Sequence, residues 1–292
     1  MSTYLKNYLN YCLKNTNLCF THDGEFHADD VFSTALIKLY CRKKELTEPL
    51  IVRSRSIPDL FGGLIYDENN SPFDHHEELK YRVNGVPYAA FGLLWQAVGD
   101  EFVSEPEKFD SSFVIFIDAN DNGISGYNDT YSRIISSMNP TWEEDVSEDE
   151  QFEKAVQLAI SILEREFAVI NARNNAIPFV QKAYENSKNK EIVVLERFAM
   201  WQKALVPTDA KFVIWQKKGK FLAQAIPVEV GSFELKTPFK EEWAGLRNED
   251  LRKVSGLNLN FCHKNLFFIE AETLESAIKA CEISLRRKNN ES

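Results

Sequence analysis

Residues 21–30 read THDGEFHADD, and residues 73–77 read FDHHE. Four of the chain's five histidines fall in these two stretches: His22, His27, His75 and His76. Each pair has acids beside it, Asp23, Asp29 and Asp30 in the first stretch and Asp74 and Glu77 in the second. Imidazole and carboxylate are ligand types for Mn, Zn and Fe. Chance scatter of histidines into polar loops would not gather them into two short acidic segments. The pattern points to a divalent-metal site, binuclear if the ligands suffice, built from two loops that the fold brings together.

The flanks of these stretches indicate the fold. LCFT (18–21) reads as a buried strand, and a short helix over 4–15 precedes it. After His27, the residues Val31, Phe32, Ala35, Leu36 and Leu39 recur at helical spacing, which predicts a helix over 29–41. Asp29 and Asp30 open it, where carboxylates cap the chain and complement the dipole. Capping is the reading for Asp30; Asp29, two residues from His27, reads as a ligand. Strand, loop and helix then recur. LIVRS (50–54) and LIY (64–66) read as strands, and Asp67 follows the second. PYAAFGLLWQAV (87–98) reads as a helix despite Gly92. FVIFI (113–117) reads as the clearest buried strand, followed by Asp118 and then Asp121. The alternation predicts an α/β protein with a doubly wound, mostly parallel sheet and its site at the carboxyl edge.

Farther on, NPTWEEDVSEDEQ (139–151) reads as an exposed acidic linker. A helix over 150–170, a polar break NARNNA (171–176) and a helical segment near 179–185 are expected next. A second, smaller α/β domain should hold strands at 192–195, 212–216 and 221–226, with KKGK (217–220) as a hairpin turn. A closing helix over 273–286 runs into Arg286, Arg287 and Lys288. The resulting plan is a metal-binding catalytic domain over 1–148, connecting helices over 149–190 and a C-terminal domain over 191–292.

Bulk properties limit the partners. The net charge of -10 argues against a broad basic face for duplex DNA, but leaves room for a short strand or a nucleotide in a local groove. The five cysteines are widely spaced with no CxxC, so reduced thiols and a cytoplasmic location are expected. No signal-type apolar segment opens the chain, and no apolar run reaches the about 18 residues of a membrane span. Homo-oligomerisation is left open.

The Asp-His-His triplet at 74–76, set between a histidine/aspartate motif and Asp118/Asp121, resembles the DHH phosphoesterase superfamily. That superfamily holds RecJ-type exonucleases, family II pyrophosphatases and oligonucleotide phosphodiesterases. The ordered set is more specific. THDGEFHADD, Asp67, FDHHE, NGVPYAAFGLLW (84–95), DANDNG (118–123), NPTW (139–142) and EEWAGLRNEDLRKVSGL (241–257), followed by His263, resemble the Myg exonuclease family over nearly the whole chain.

That resemblance implies a DHH phosphoesterase-like fold and a divalent-metal phosphohydrolase, a 3′–5′ exonuclease on short RNA or oligonucleotide strands. Two ions are implied, Mn2+ first and Mg2+ as the alternative. By analogy His22, His27 and Asp67 bind one ion. Asp29, Asp67, His75 and Asp121, with Asp118 as the alternative, bind the other. His76, backed by Asp74, faces the scissile phosphate. In an extended backbone the adjacent His75 and His76 would point to opposite sides. Arg53 and Arg55 read as phosphate clamps or as surface salt-bridging residues. His263 reads as a satisfied structural residue or, under a closing C-terminal domain, a phosphate contact; Arg247 and Lys264 are weaker candidates. Family members carry glycines after the aspartate equated with Asp67, where this chain has Glu68, Asn69 and Asn70. Their bulk and charge raise two other readings: a nucleotide or pyrophosphate hydrolase, and a metal-dependent binding protein with weak turnover.

Overall fold

The structure is a computed structural model that describes residues 2–76, 79–127 and 129–286. Glu77 and the expected Arg287–Lys288 end of the last helix lie outside the described residues. The chain divides into two compact units, residues 1–171 and 172–292.

In the first unit, β1 (Leu18–Thr21) is the middle strand of a three-stranded parallel sheet, between β2 (Leu50–Arg53) and β3 (Leu64–Ile65). Cys19 pairs with Ile51 on one side and Leu64 on the other. Parallel strands covered on both faces read as apolar runs, as the central LCFT does, whereas LIVR at the edge is only partly covered and leaves Leu50 exposed. The core around the sheet takes side chains from α1 (Ser2–Asn15), α2 (Ala28–Lys43) and α3 (Ala90–Val98), including Leu5, Leu9, Phe32, Leu36, Phe91 and Leu94. Helix α2 is buried without a break from Ala28 to Cys41. A helix enclosed on all sides is a rigid mount, and the first histidine stretch leads straight into it.

One expected strand is a helix. Residues 113–117 fall in a continuous helical segment made of α4 (Pro106–Phe109), a π-helical turn (Asp110–Val114) and α5 (Ile115–Asp121). Phe113, Val114, Ile115 and Ile117 are all buried. Periodicity cannot separate a short, fully enclosed helical run from a central strand. The α/β class therefore stands, but the sheet edge lacks that strand, and Asp118 and Asp121 sit one helical turn apart. Helix α6 (Thr130–Ser136) follows, its first turn capped by the Asp129 carboxylate.

The expected break at 171–176 is also absent. Helix α7 runs unbroken from Glu148 to Asn186, with Pro178 inside it. Asn and Arg cost a helix only about 0.7 kcal/mol or less each relative to Ala, so a short polar run does not end it. The division between the units falls inside this helix rather than at its ends.

The second unit holds a five-stranded mixed sheet in the order β4-β5-β6-β8-β7. The strands are β4 (Ile192–Leu195), β5 (Phe212–Lys217), β6 (Lys220–Ala225), β7 (Leu259–Cys262) and β8 (Phe268–Ala271). Only β4 and β5 pair in parallel. Lys218 and Gly219 have φ values of 50° and 79°, the two positive values a type I′ hairpin needs, as KKGK predicts. Helices α8 (Gln202–Leu205), α9 (Asn248–Ser255) and α10 (Leu274–Leu285) complete the unit. Strands β7 and β8 carry polar residues within four-residue segments, which hid them from pattern reading. Among the described residues, no helix is long and apolar enough to cross a membrane.

Candidate metal centre

His22 stands one residue past β1. Its Nε2 lies 3.2 Å from Asp30 Oδ2 and 3.4 Å from Asp67 Oδ2. Its Nδ1 lies 3.0 Å from the carbonyl oxygen of Asp23. Donation from Nδ1–H to that carbonyl fixes the ring and turns Nε2 toward the carboxylates, the usual arrangement of a ligating histidine.

Asp67, two residues past β3, has a φ of 56°, and Asn69 and Asn70 have 62° and 51°. Glycine suits such left-handed positions, and asparagine is among the few side-chain-bearing residues that visit them routinely. The asparagines here thus keep a loop shape that glycine would give. They are exposed, and of residues 68–70 only Glu68 lines the cavity at the site.

The second stretch meets Asp67 from the other side. His75 Nε2 lies 3.2 Å from Asp67 Oδ1 and 3.2 Å from Asp121 Oδ2. Asp29, His75 and Asp121 form one group able to hold an ion, and Asp67, His75 and His76 form another. His27 reaches the cluster from the start of α2, with Nδ1 3.7 Å from Asp121 Oδ1 and its side chain 57% exposed.

Asp74 does different work. Its Oδ1 accepts hydrogen bonds from the His76 backbone N–H at 3.1 Å and from His76 Nδ1 at 2.7 Å. Its Oδ2 accepts from the Asn70 N–H at 2.7 Å. Burial pushes the Asp74 carboxyl up, but these donors outweigh it and bring it down to about 2. The two rings do not point to opposite sides: they lie 4.5 Å apart at 35°. Burial separates them instead, with the His75 side chain 7% exposed and that of His76 59%.

Asp29 and Asp30 trade parts of their expected roles. Both oxygens of Asp29 cap a different helix, accepting from the Phe91 N–H at 2.7 Å and the Ala90 N–H at 3.0 Å at the start of α3. Asp30 does cap its own helix, with Oδ1 2.9 Å from the His27 N–H, but its Oδ2 faces His22. Sequence reasoning left Asp30 out of the site. The available signal was its place three residues after His27, one helical turn on.

Asp118 stays outside the cluster. Its Oδ2 takes a 2.7 Å hydrogen bond from Arg82 and its Oδ1 a 3.1 Å hydrogen bond from the Gly92 N–H. A Cβ at position 92 would lie 1.9 Å from Asp118 Oδ2, so the glycine inside α3 permits this close approach. Of the two aspartates Asp121 reaches the histidines, 3.2 Å from His75 Nε2, while Arg82 and the Gly92 N–H hold Asp118.

Arg53 is not a surface residue. Its guanidinium is 2.9 Å from Asp149, donates to the Gly24 carbonyl and lies over the Phe152 ring at 4.6 Å. Arg55 is exposed, 3.4 Å from Asp23, and lines a cavity of about 340 Å³ together with His22, His27, Asp67, His76 and Asp121. His263, in the second unit, accepts at Nδ1 from the Asn265 N–H at 3.1 Å and packs on Phe267 at 4.3 Å, a local structural role.

The residues fit a divalent ion. Asp30 Oδ2, Asp67 Oδ1 and His75 Nε2 are buried without a hydrogen-bond partner. Buried polar atoms without partners are costly. Two ligand atoms about 2.1 Å from one ion are about 3.0 Å apart at a right angle and about 3.4 Å apart at the tetrahedral angle. The 3.2–3.4 Å separations of His22 and His75 from their carboxylates match that edge length.

Without a cation, protons neutralise the cluster. Burial lowers the His22 and His75 pKa values, but the carboxylates they face, Asp30 and Asp67 for His22 and Asp121 and Asp67 for His75, outweigh it and raise both to about 11. Burial and the charges of Asp67 and Asp121 hold the Asp29 carboxyl well above its usual range. Metal binding must displace such protons, so ion affinity should rise with pH. The sign for stability follows. A histidine raised from about 6.5 stabilises the folded form fully below that pH and loses the contribution as pH climbs toward its folded value. Metal-free protein should therefore melt at progressively lower temperature from pH 7 to pH 9, and saturating Mn2+ should flatten the trend. A metal-free melting temperature constant over that range would contradict the assignment.

A family model described as "Uncharacterised protein family (UPF0160)" and labelled MYG1 exonuclease matches residues 18–285. The chain belongs to the MYG1 exonuclease family. The MYG1 protein of Dictyostelium discoideum is 26% identical, over 91% of this chain and 95% of its own length. The MYG1 exonuclease of Homo sapiens is 27% identical, over 92% of this chain and 86% of its own length. The MYG1 protein of Chlamydia pneumoniae is 27% identical, over 91% and 96%. A solved structure of RecJ in complex with Mn2+ from Thermus thermophilus aligns with 97% of this chain and 53% of that one, at 14% identity and a TM-score of 0.28. The stretch matched to the MYG1 family includes every candidate ligand from His22 to Asp121.

Proposed function

We propose that this protein is a divalent-metal-dependent phosphodiesterase of the exonuclease type that hydrolyses short nucleic-acid strands, RNA foremost, from the 3′ end. The observation that carries the reading is a buried cluster of imidazoles and carboxylates in which Asp30 Oδ2, Asp67 Oδ1 and His75 Nε2 face neighbouring groups without an aligned hydrogen bond. The name exonuclease borne by the human relative supports the reaction class. In this reading His22, His27 and Asp67 hold one ion, and Asp29, Asp67, His75 and Asp121 hold a second, Mn2+ first and Mg2+ as the alternative.

Bound divalent ions supply an activated water and neutralise charge on a phosphoryl group. The protein's own groups do the rest. Asp67 presents Oδ2 to His22 and Oδ1 to His75, the placement of a carboxylate shared by two ions. Asp74 engages His76 Nδ1, which leaves Nε2 to meet the substrate. The Asp74 hydrogen bond also raises the His76 pKa, which favours a protonated ring that can donate to a phosphoryl or leaving oxygen. Arg55 places a positive charge in the same cavity. The charge of -10 suits a substrate that enters by its end rather than one lying along a broad basic face. Five buried free cysteines suit a reducing compartment such as the cytoplasm.

Purified protein with Mn2+ should shorten a 5′-labelled oligoribonucleotide one nucleotide at a time. Turnover confined to pyrophosphate or free nucleotides would transfer the assignment to a small-molecule phosphohydrolase. Ion binding with no turnover on any of these would leave a binding protein.

A further inference from the structure

We propose that Asn139 is a positioning residue for the metal centre, holding His27 in place through the peptide bond that precedes it. The inference rests on the divalent-metal reading above and extends it to a residue that touches no candidate ligand side chain. Asn139 begins the NPTW segment at 139–142, which the site described so far does not use.

Asn139 engages both polar groups of one residue. Its Oδ1 accepts from the Phe26 N–H at 2.9 Å, and its Nδ2 donates to the Phe26 carbonyl at 2.8 Å. The side-chain amide thus pairs with Phe26 much as a neighbouring strand would. The next group along is also held, since the His27 N–H donates to Asp30 Oδ1 at 2.9 Å. The Phe26 carbonyl and the His27 N–H belong to the same peptide unit, which is planar. Fixing its oxygen from Asn139 and its nitrogen from Asp30 fixes the plane from which the His27 side chain departs.

His27 needs this support more than its neighbours do. Its ring is 57% exposed, its nearest carboxylate contact is 3.7 Å, and its remaining tie is to the Asp30 backbone within the capping box of α2, so few contacts restrain the ring itself. The loop from His22 to His27 contains Gly24 at a φ of 84°, and Asp23 and Glu25 are exposed. Phe26 is the fully buried anchor of that loop, its ring packed edge-on against Phe152 at 5.7 Å. Asn139 is itself held at the end of α6, where its Nδ2 lies 3.2 Å from the Ser136 carbonyl. The same Asp30 that receives the His27 N–H faces His22 with its other oxygen. Displacing Phe26 would therefore disturb both histidines of the first stretch.

Partners that hydrogen-bond a ligating side chain directly typically contribute 10–100-fold to ion affinity, and Asn139, acting through the backbone, should contribute at the lower end, about 10-fold. Asn139→Ala should weaken Mn2+ binding by about that factor in calorimetric titration, while Asn139→Asp, which keeps the acceptor for the Phe26 N–H, should lie between it and the unmodified protein. Amide exchange at residues 23–27 of the metal-free protein should quicken in Asn139→Ala. Val156→Ala, a core truncation in α7, controls for general loss of stability and should keep its ion affinity. Ion affinity unchanged in folded Asn139→Ala, or reduced equally in Val156→Ala, would overturn the positioning role. If the unmodified protein bound no divalent ion, the metal reading itself would fail.

Discussion

His75→Ala should lose metal and turnover together and recover part of both in excess Mn2+, whereas His76→Ala should keep its metal and lose turnover by about 10²–10⁴-fold. The contrast follows from where the two rings sit. His75 Nε2 lies 3.2 Å from carboxylates on two separate elements, the Asp67 loop and the end of α5. Removing it leaves Asp67 and Asp121 with one donor fewer between them and weakens whatever cation they hold. Mass action can then restore occupancy. His76 stands over the open cavity with its Nδ1 committed to Asp74. Its loss deletes a proton donor that added metal does not replace. Metal content and rate, measured for both variants across a Mn2+ titration, decide the matter. Rescue of His76→Ala by Mn2+, with a metal-loaded but inactive His75→Ala, would exchange the two roles.

The histidine loops are legible in the sequence because their chemistry is local. The strands LCFT and LIVR end where the site begins, and the helix after His27 has a plain apolar pattern. What escaped was set by contacts distant in sequence. Asp29 reads as a ligand opening its own helix, yet its carboxylate also caps α3, some sixty residues later, at Ala90 and Phe91. Arg53 reads as a phosphate clamp or a surface salt-bridging residue, yet its guanidinium is engaged by Gly24, Asp149 and Phe152. Residues 113–117 carry the composition of a central strand yet are helical, a distinction that periodicity does not make in so short a buried run. Glu68-Asn69-Asn70 reads as a departure that crowds the site. The positive φ values of Asn69 and Asn70 show that the asparagines meet a backbone requirement, while Glu68 does line the cavity.

Asp118, held by Arg82 and Gly92 rather than by the histidines, leads to the other large effect, on stability. Arg82→Ala should destabilise the protein by about 3–5 kcal/mol, because it strands a buried charge. The Arg82 guanidinium makes two 2.7 Å hydrogen bonds to Asp110 and a third of 2.7 Å to Asp118, and it lies 4.0 Å over the Tyr88 ring. Asp118 is fully buried, and burial pushes its carboxyl up to about 7 even though Arg82 acts to lower it. Without Arg82 the carboxyl should bind a proton in the folded state more readily than in the unfolded one. The loss of stability should then be greater at pH 8 than at pH 5, where a neutral Asp118 has no charge to bury. Urea unfolding at the two pH values measures this, and an equal loss at both would argue against a stranded carboxylate. Metal content supplies the complementary test. Asp118→Asn should bind its ions as the unmodified protein does, since both Asp118 oxygens already serve Arg82 and Gly92. Asp121→Asn should bind fewer, because it alters a carboxylate 3.2 Å from His75 Nε2. An ion lost from Asp118→Asn and kept in Asp121→Asn would return Asp118 to the metal site.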